Sequence, residues 1–285
     1  MNGHDVQHRD CFASLAAMKA AGGVRLIVTS PPYPDARTPE QYGASFDTTL
    51  AGYGRLGEAV FEALMPGGVC ALNIDGPVRI WRPELGESER SLIAFEVALD
   101  WAKRVGFRYV ERCAYLRDGF PISGDGCNPR WRNGWEPVHV FACPGARPFF
   151  DRWGFTRPAK YAGSTVIKTN CRRAGGVRES DIKSTIQGDT RALRNAERFI
   201  GNQSTTDREH AAPFSCEFSD AYVLCYSQPG DLVGDPFVGS GTVAFSCHRH
   251  GRRFIGGDLG TRERDGRRWA DIVNDGLRQT SLDFG

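Results

Sequence analysis

The chain has 285 residues, 40% of them hydrophobic and 25% charged, enough to bury one substantial α/β core with a small appended module; disordered and collagen-like classes are excluded. A formal net charge of +2 does not mark the chain as a whole as a polyanion binder. Its apolar runs, such as 25–28 and 138–141, fall far short of the ~20 residues that a membrane-spanning helix needs.

The polar start, Met1-Asn2-Gly3-His4-Asp5, does not read as a signal peptide, so a soluble, cytoplasmic protein is expected. The first half alternates short apolar runs with helical patterns, the mark of a mostly parallel sheet covered on both faces. Arg25 to Thr29 reads as a buried strand that stops at Pro31-Pro32, because proline cannot donate to a ladder. Leu56, Val60 and Leu64, with Ala59 and Ala63 beside them, predict a helix ending at Pro66-Gly67-Gly68, followed by a strand from Val69 to Ile74. Leu92, Phe95, Leu99 and Ala102 predict another helical stripe, stopped by Gly106. Phe107 to Leu116 and Pro137 to Ala142 read as strands joined only by a loop, which points to the antiparallel end of the sheet.

Composition shifts after Pro144. The stretch 152–209 holds twelve Lys and Arg against six Asp and Glu, a local excess of +6 in a chain of +2, and Gly175-Gly176 marks a loop within it. Such an excess is a footprint for phosphates. A helix from Phe214 to Ser227, a strand 232–234, a Gly-rich turn, a helix from Thr242 to about His250 and a strand from Arg253 to Gly257 then restore the α/β pattern. Nine cysteines without a C-x-x-C pair read as reduced thiols. Cys247-His248-Arg249-His250 reads as a helix with one buried thiol and exposed histidines, and no metal is expected.

Two motifs carry chemistry. Asp235-Pro236-Phe237-Val238-Gly239-Ser240-Gly241-Thr242 is a Gly-rich turn in which glycines let the backbone approach a ligand and a helix N-terminus offers N–H groups, with Asp258 at the next strand end to bind ribose hydroxyls. The same pattern fits a dinucleotide fingerprint, but only 27 residues follow Asp258, so the other strands must come from earlier in the chain, as in a permuted sheet. Thr29-Ser30-Pro31-Pro32-Tyr33 suits methylation of a conjugated base amine, whose lone pair must be aimed while its N–H bonds are held. Ser30 Oγ and the Pro31 carbonyl are candidate acceptors, Pro31 and Pro32 fix the turn, and Tyr33 offers a ring on which a flipped-out base can stack.

With these motifs the chain resembles a β-group DNA amino-methyltransferase, the group in which the catalytic motif precedes the S-adenosylmethionine motif. His8-Arg9-Asp10-Cys11, Leu26 to Tyr33, Met65-Pro66-Gly67-Gly68, 132–138, 210–214 with 226–231, and Arg253 to Asp258 match that family in order. Asp258 stands where the family often has Glu. The resemblance implies a circularly permuted Rossmann-like α/β fold, mostly parallel with one antiparallel strand and a small inserted target-recognition region. It divides the chain into a catalytic half (1–149), a recognition region (150–210) and a cofactor-binding half (211–285).

S-adenosylmethionine is then expected at 235–242 and Asp258, with Asp10, at a neighbouring strand end, near the adenine amine and Phe214 near the ligand's apolar face. Arg130, Arg132, Lys160, Lys168, Arg172, Arg173 and Arg178 are the expected contacts to double-stranded DNA. Ser30 before Pro-Pro points to the cytosine N(4) amine, with adenine N(6) the alternative; a non-catalytic DNA-binding subunit and an RNA or protein-glutamine methyltransferase are further readings. The expected chain is a monomer or homodimer that can be paired with a cognate restriction endonuclease.

Overall fold

The computed structural model describes residues 3–33, 46–75, 80–82, 84, 87–117, 134–168, 183–199, 214–262 and 264–282. The chain opens with β1 (His4–Gln7), α1 (Cys11–Ala20), β2 (Val24–Thr29), α2 (Leu50–Ala63) and β3 (Leu64–Asn73). The short antiparallel pair β4 (Ile80–Arg82) and β5 (Glu87–Glu89) leads to α3 (Ile93–Asp100), whose last turn widens into a π-turn over Trp101–Val105, and then to β6 (Arg108–Arg117) and β7 (Glu136–Ala142). After these come β8 (Thr156–Pro158), β9 (Thr165–Lys168), β10 (Lys183–Ile186), β11 (Thr190–Ala192) and β12 (Ala196–Phe199). The last stretch is α4 (Cys216–Tyr226), β13 (Leu232–Asp235), α5 (Thr242–Arg249), β14 (Arg253–Gly257) and α6 (Trp269–Leu282).

Eight strands form one sheet in the order β1-β14-β13-β2-β3-β7-β6-β12. All neighbours run parallel except at β7, which is antiparallel to both β3 and β6. Side chains alternate across the strands, so the sheet carries two cores. Ile27, Cys70 and Phe141 face α1, α2 and α3, through Met18, Leu56 and Trp101. Leu26, Val28 and Val140 face α4, α5 and α6, through Phe218, Val243 and Val273. This is a three-layer α/β sheet of permuted order, because β13 and β14, late in sequence, sit between β1 and β2.

The structure changes several sequence-based expectations. The antiparallel pair is present, but it is not the end of the sheet: β12, drawn from the basic 150–210 segment, adds in parallel to β6. Its sequence, Ala-Glu-Arg-Phe, carries no apolar run, as befits an edge strand. The stripe Leu92, Phe95, Leu99 is the outer face of α3, with Leu92 64% and Leu99 55% exposed. The buried stripe is Ile93, Val97 and Trp101, flanked by Ala94 and Ala98. Trp101 decides the rotation: its Nε1 donates to the Tyr53 carbonyl at 2.9 Å, and its ring lies so close to Gly57 that a Cβ there would fall 2.4 Å from Nε1. Gly106 does end the helix, at φ +98°. Helix α2 stops at Ala63, three residues before the expected proline, because Leu64 already pairs with Val24.

His248 and His250 are not exposed either. His250 Nε2 lies 3.0 Å from Asp220 Oδ1 and His248 Nδ1 lies 3.1 Å from His4 Nε2, so both side chains fasten α5 to its neighbours, while Cys247 is fully buried.

Within the basic segment, β8 pairs with β11 and β9 with β10, both antiparallel, which makes a nested two-stranded arm. Arg157 forms a bidentate pair with Glu217 at the start of α4, at 2.7 and 2.8 Å, and Arg191 a bidentate pair with Glu197 of β12, at 2.9 Å. Two of the segment's twelve cations therefore anchor the arm.

Candidate active site

Strand order sets the site. From β13 the chain winds through α5 to β14 on one side, whereas from β2 it winds through α2 to β3 on the other, so the order reverses between β13 and β2. Ligands of open α/β sheets bind at the carboxyl ends of strands at such a reversal. The Gly-rich turn leaves β13 and the Ser30-Pro31-Pro32-Tyr33 turn leaves β2 at this place. The two turns are joined directly: Thr29 Oγ1 donates to Asp235 Oδ1 at 2.8 Å, and both side chains are buried.

The Gly-rich turn is held by carboxylates. Asp235 Oδ1 also accepts from Phe237 N at 2.9 Å, and Asp258, just past β14, accepts from Gly239 N at 2.8 Å and from Gly260 N at 2.7 Å. Burial pushes the Asp235 carboxyl up to about 7, while the bonds from Phe237 N and Thr29 pull it down and the charge of Asp258 adds to the rise. Gly241, which caps α5, has φ +83°, and a Cβ on it would lie 2.5 Å from a methyl group of Val273. Only glycine fits there.

A cavity of about 330 Å³ opens beside this turn. Of the residues singled out from sequence, Asp10, Pro32, Pro236, Phe237 and Asp258 line it, whereas Asp235, Gly239, Ser240, Gly241 and Thr242 are not among its lining residues. Asp10 is the N-cap of α1, accepting from Ala13 N at 2.8 Å, rather than the last residue of a strand. Phe214 lies elsewhere, its ring 4.6 Å from that of Phe218 in the opposite core. The aromatic partner of Phe237 is instead Phe46, edge-on at 5.4 Å, and Arg9, Asp47 and Arg55 complete the wall. Sequence reading passed over these because only the packing of α1 and α2 brings them to the turn. Arg9 Nε is buried without a hydrogen-bond partner among the described residues, and Arg9 lines the cavity together with three carboxylates, Asp10, Asp47 and Asp258. Carboxylates to accept hydrogen bonds from amine and hydroxyl groups, aromatic rings for a base to pack beside and a glycine turn suit a nucleoside with a polar tail, as S-adenosylmethionine is. A larger cavity, about 690 Å³, lies between β6, β12 and α4, and neither motif reaches it.

The Ser30-Pro31-Pro32-Tyr33 turn is fixed at three points. Tyr53 hydroxyl, fully buried on α2, donates to the Pro32 carbonyl at 2.5 Å. Ser30 Oγ donates to the Tyr33 hydroxyl at 3.2 Å. That hydroxyl in turn faces Asn73 Oδ1 at 3.0 Å and Glu136 Oε2 at 3.3 Å. Tyr33 is therefore held by its hydroxyl as well as by its ring, which packs on the core under α1 and α2. Glu136, inside the segment 132–138 that the family resemblance sets against the target base, arrives because β7 runs antiparallel and so begins at the end where β2 and β3 finish.

Of the expected DNA contacts, Arg130, Arg132, Arg172, Arg173 and Arg178 lie outside the described residues. Lys160 is exposed in the turn between β8 and β9, its Nζ 5.3 Å from the Tyr161 ring centroid, and Lys168 ends β9. Among the described residues, no group of His, Cys, Asp or Glu is arranged to hold a metal, and no helix is long and apolar enough to cross a membrane.

Fold and site together define a permuted, Rossmann-like α/β protein with a proline turn beside a cavity suited to a nucleoside. The DNA methylase family of N(6)-adenine and N(4)-cytosine type matches residues 24–265, and the chain belongs to it: it is an S-adenosylmethionine-dependent DNA methyltransferase. It is 26% identical over 260 residues to the orphan methyltransferase M.BamHII of Bacillus amyloliquefaciens, covering 90% of this chain and 89% of that one. The fold is shared with the cytosine-N4-specific PvuII DNA methyltransferase (17% identity, TM-score 0.65, 97% of this chain and 95% of that one). It is shared too with a DNA modification methylase of Thermus thermophilus, TTHA0409, solved with S-adenosyl-L-methionine (20% identity, TM-score 0.61, 97% and 93%).

Proposed function

We propose that this methyltransferase modifies the N(4) amine of cytosine flipped out of duplex DNA, and that Ser30 Oγ and the Pro31 carbonyl hold the amine's two N–H bonds. The observation that carries the reading is the direction of the Ser30 hydrogen bond: its proton points at Tyr33, so its lone pairs are left to accept from an amine. The Pro32 carbonyl is already engaged by Tyr53, which leaves the Pro31 carbonyl as the backbone acceptor of the turn. A serine rather than a carboxylate or amide before Pro-Pro favours cytosine within the family. Adenine N(6) is the second reading, because both amines are flat and conjugated and the same two acceptors serve either.

Bound S-adenosylmethionine supplies an electrophilic methyl group. The residues then have separate tasks. Asp258 and Asp10 receive the ligand's hydroxyl and amine protons, Phe46 and Phe237 flank its base, and the arm of β8 to β11, within the recognition region 150–210, lays Lys160 and its neighbouring cations along phosphates. The test is transfer of a labelled methyl group to duplex DNA by the parent and by Ser30→Ala. Transfer by the parent and its loss in the variant, with cofactor affinity kept, supports the reading. A parent that binds DNA without transfer is instead a non-catalytic subunit.

A further inference from the structure

We propose that the buried carboxylate of Glu136 is the end of a proton relay, from Ser30 Oγ through the Tyr33 hydroxyl to Glu136 Oε2, which removes the surplus proton of the amine as it is methylated. The inference rests on the reading of Ser30 as the amine's acceptor.

Chemistry demands such a group. As the amine lone pair forms the new N–C bond, the S–C bond breaks and its electron pair stays on sulfur, so the positive charge moves from sulfonium to amine. The methylated amine then holds one proton too many. Ser30 Oγ can accept that proton only if it passes its own onward, and its own already points at the Tyr33 oxygen, 3.2 Å away. Tyr33 has one proton, and the acceptors it reaches among the described residues include Asn73 Oδ1 at 3.0 Å and Glu136 Oε2 at 3.3 Å.

These two acceptors are not equivalent. Asn73 Nδ2 donates to the Pro137 carbonyl at 3.1 Å, which turns its Oδ1 toward Tyr33. An amide oxygen is not a base at neutral pH, so Asn73 can hold the hydroxyl but cannot take its proton. Glu136 can. After the relay each hydroxyl again carries one proton, Glu136 is a neutral acid, and methyl and proton have both been delivered. Glu136 is 8% exposed, so solvent does little to weaken its pull on the developing cation. Distances of 3.2 and 3.3 Å are long for proton transfer, but such contacts commonly shorten once substrate fills the site.

The test compares single-turnover methyl transfer in Tyr33→Phe, Glu136→Gln, Glu136→Asp and the Tyr33→Phe/Glu136→Gln pair, with cofactor and DNA affinities measured on each. Members of one relay should each slow transfer by ~10²-fold, the usual worth of positioned acid–base catalysis, and the pair should be no slower than its slower member. Glu136→Asp, which keeps a base, should recover part of the rate lost in Glu136→Gln, and affinities should stay at the parental level. A parental rate in Tyr33→Phe overturns the relay whatever the Glu136 variants do. So does a parental rate in Glu136→Gln, or losses that multiply in the pair. If Ser30→Ala transfers at the parental rate, the reading of the amine site has failed; if it is slow while Glu136→Gln is not, the relay alone has failed.

Discussion

Thr29 and Asp235 stand 206 residues apart in sequence, yet Thr29 Oγ1 donates to Asp235 Oδ1 at 2.8 Å across the point where the strand order reverses. One buried hydrogen bond thus ties the turn that would grip the target amine to the turn that shapes the ligand cavity. Thr29→Val removes the donor and leaves a buried carboxyl group with one partner fewer, which should cost about 1–3 kcal/mol in denaturant unfolding. Thr29→Ser should cost much less. Cofactor affinity and transfer rate should fall together in Thr29→Val, since both turns lose the same brace.

The Asp235 carboxyl also gives a pH signature. Its folded value of about 7 lies above the ordinary 3.8 because of burial first and of the Asp258 charge in addition. The folded state therefore takes up more protons, and the stability this brings is full below about 4 and is lost as pH rises through about 7. Asp235→Asn keeps an oxygen for Thr29 and Phe237 N and carries no charge. The difference in unfolding free energy, variant minus parent, should rise between pH ~4 and ~8.

His139 acts with the opposite sign. Fully buried in β7 with its Nδ1 2.9 Å from the Tyr109 hydroxyl, it is held neutral, its value lowered from 6.5 to about 4 by burial and then by the charge of Arg112. The unfolded chain binds the proton more readily, so stability is present above about 6.5 and is lost as pH falls toward about 4. In His139→Phe the acid side of a melting-temperature profile should be flatter than in the parent.

For the glycine turn, Gly241→Ala forces a side chain into the left-handed region at φ +83° and into Val273. Strain of ~1–2 kcal/mol from the backbone alone, with the clash added, should loosen the turn that Asp258 holds. Calorimetry should show cofactor affinity reduced at least tenfold in variants that remain folded.

The arm separates two kinds of cation. Lys160→Gln should flatten the dependence of log K on log salt for duplex DNA by ~0.9, as each lost phosphate contact does. Arg157→Gln should instead lower thermal stability, because Arg157 is paired with Glu217. Equal salt slopes for parent and Lys160→Gln would remove that residue from the DNA interface.

Much of this architecture can be read from the chain. The strand into Pro31-Pro32, the Gly-rich turn and the antiparallel strand are written in local pattern, and the order of the two motifs along the chain points to the permuted sheet. The face of α3 is not written there: Leu92, Phe95 and Leu99 keep helical spacing as well as Ile93, Val97 and Trp101 do, and only the fit of Trp101 against Gly57 chooses between them. Phe46 in the cavity wall is also silent in sequence, and the motifs around Arg9 and Glu136 are legible without showing which residues they meet. Their positions follow from which helices and strands become neighbours, a long-range outcome that no local spacing encodes.

The most direct test of the whole account is the identity of the methylated nucleoside. Duplex DNA incubated with the protein and S-adenosylmethionine, digested to nucleosides and resolved by mass spectrometry, should contain N(4)-methylcytidine in its deoxy form as the new product, absent with Ser30→Ala. N(6)-methyldeoxyadenosine as the only product would contradict the cytosine assignment, and a methyl group found on ring carbon rather than on an exocyclic amine would contradict the mechanism itself.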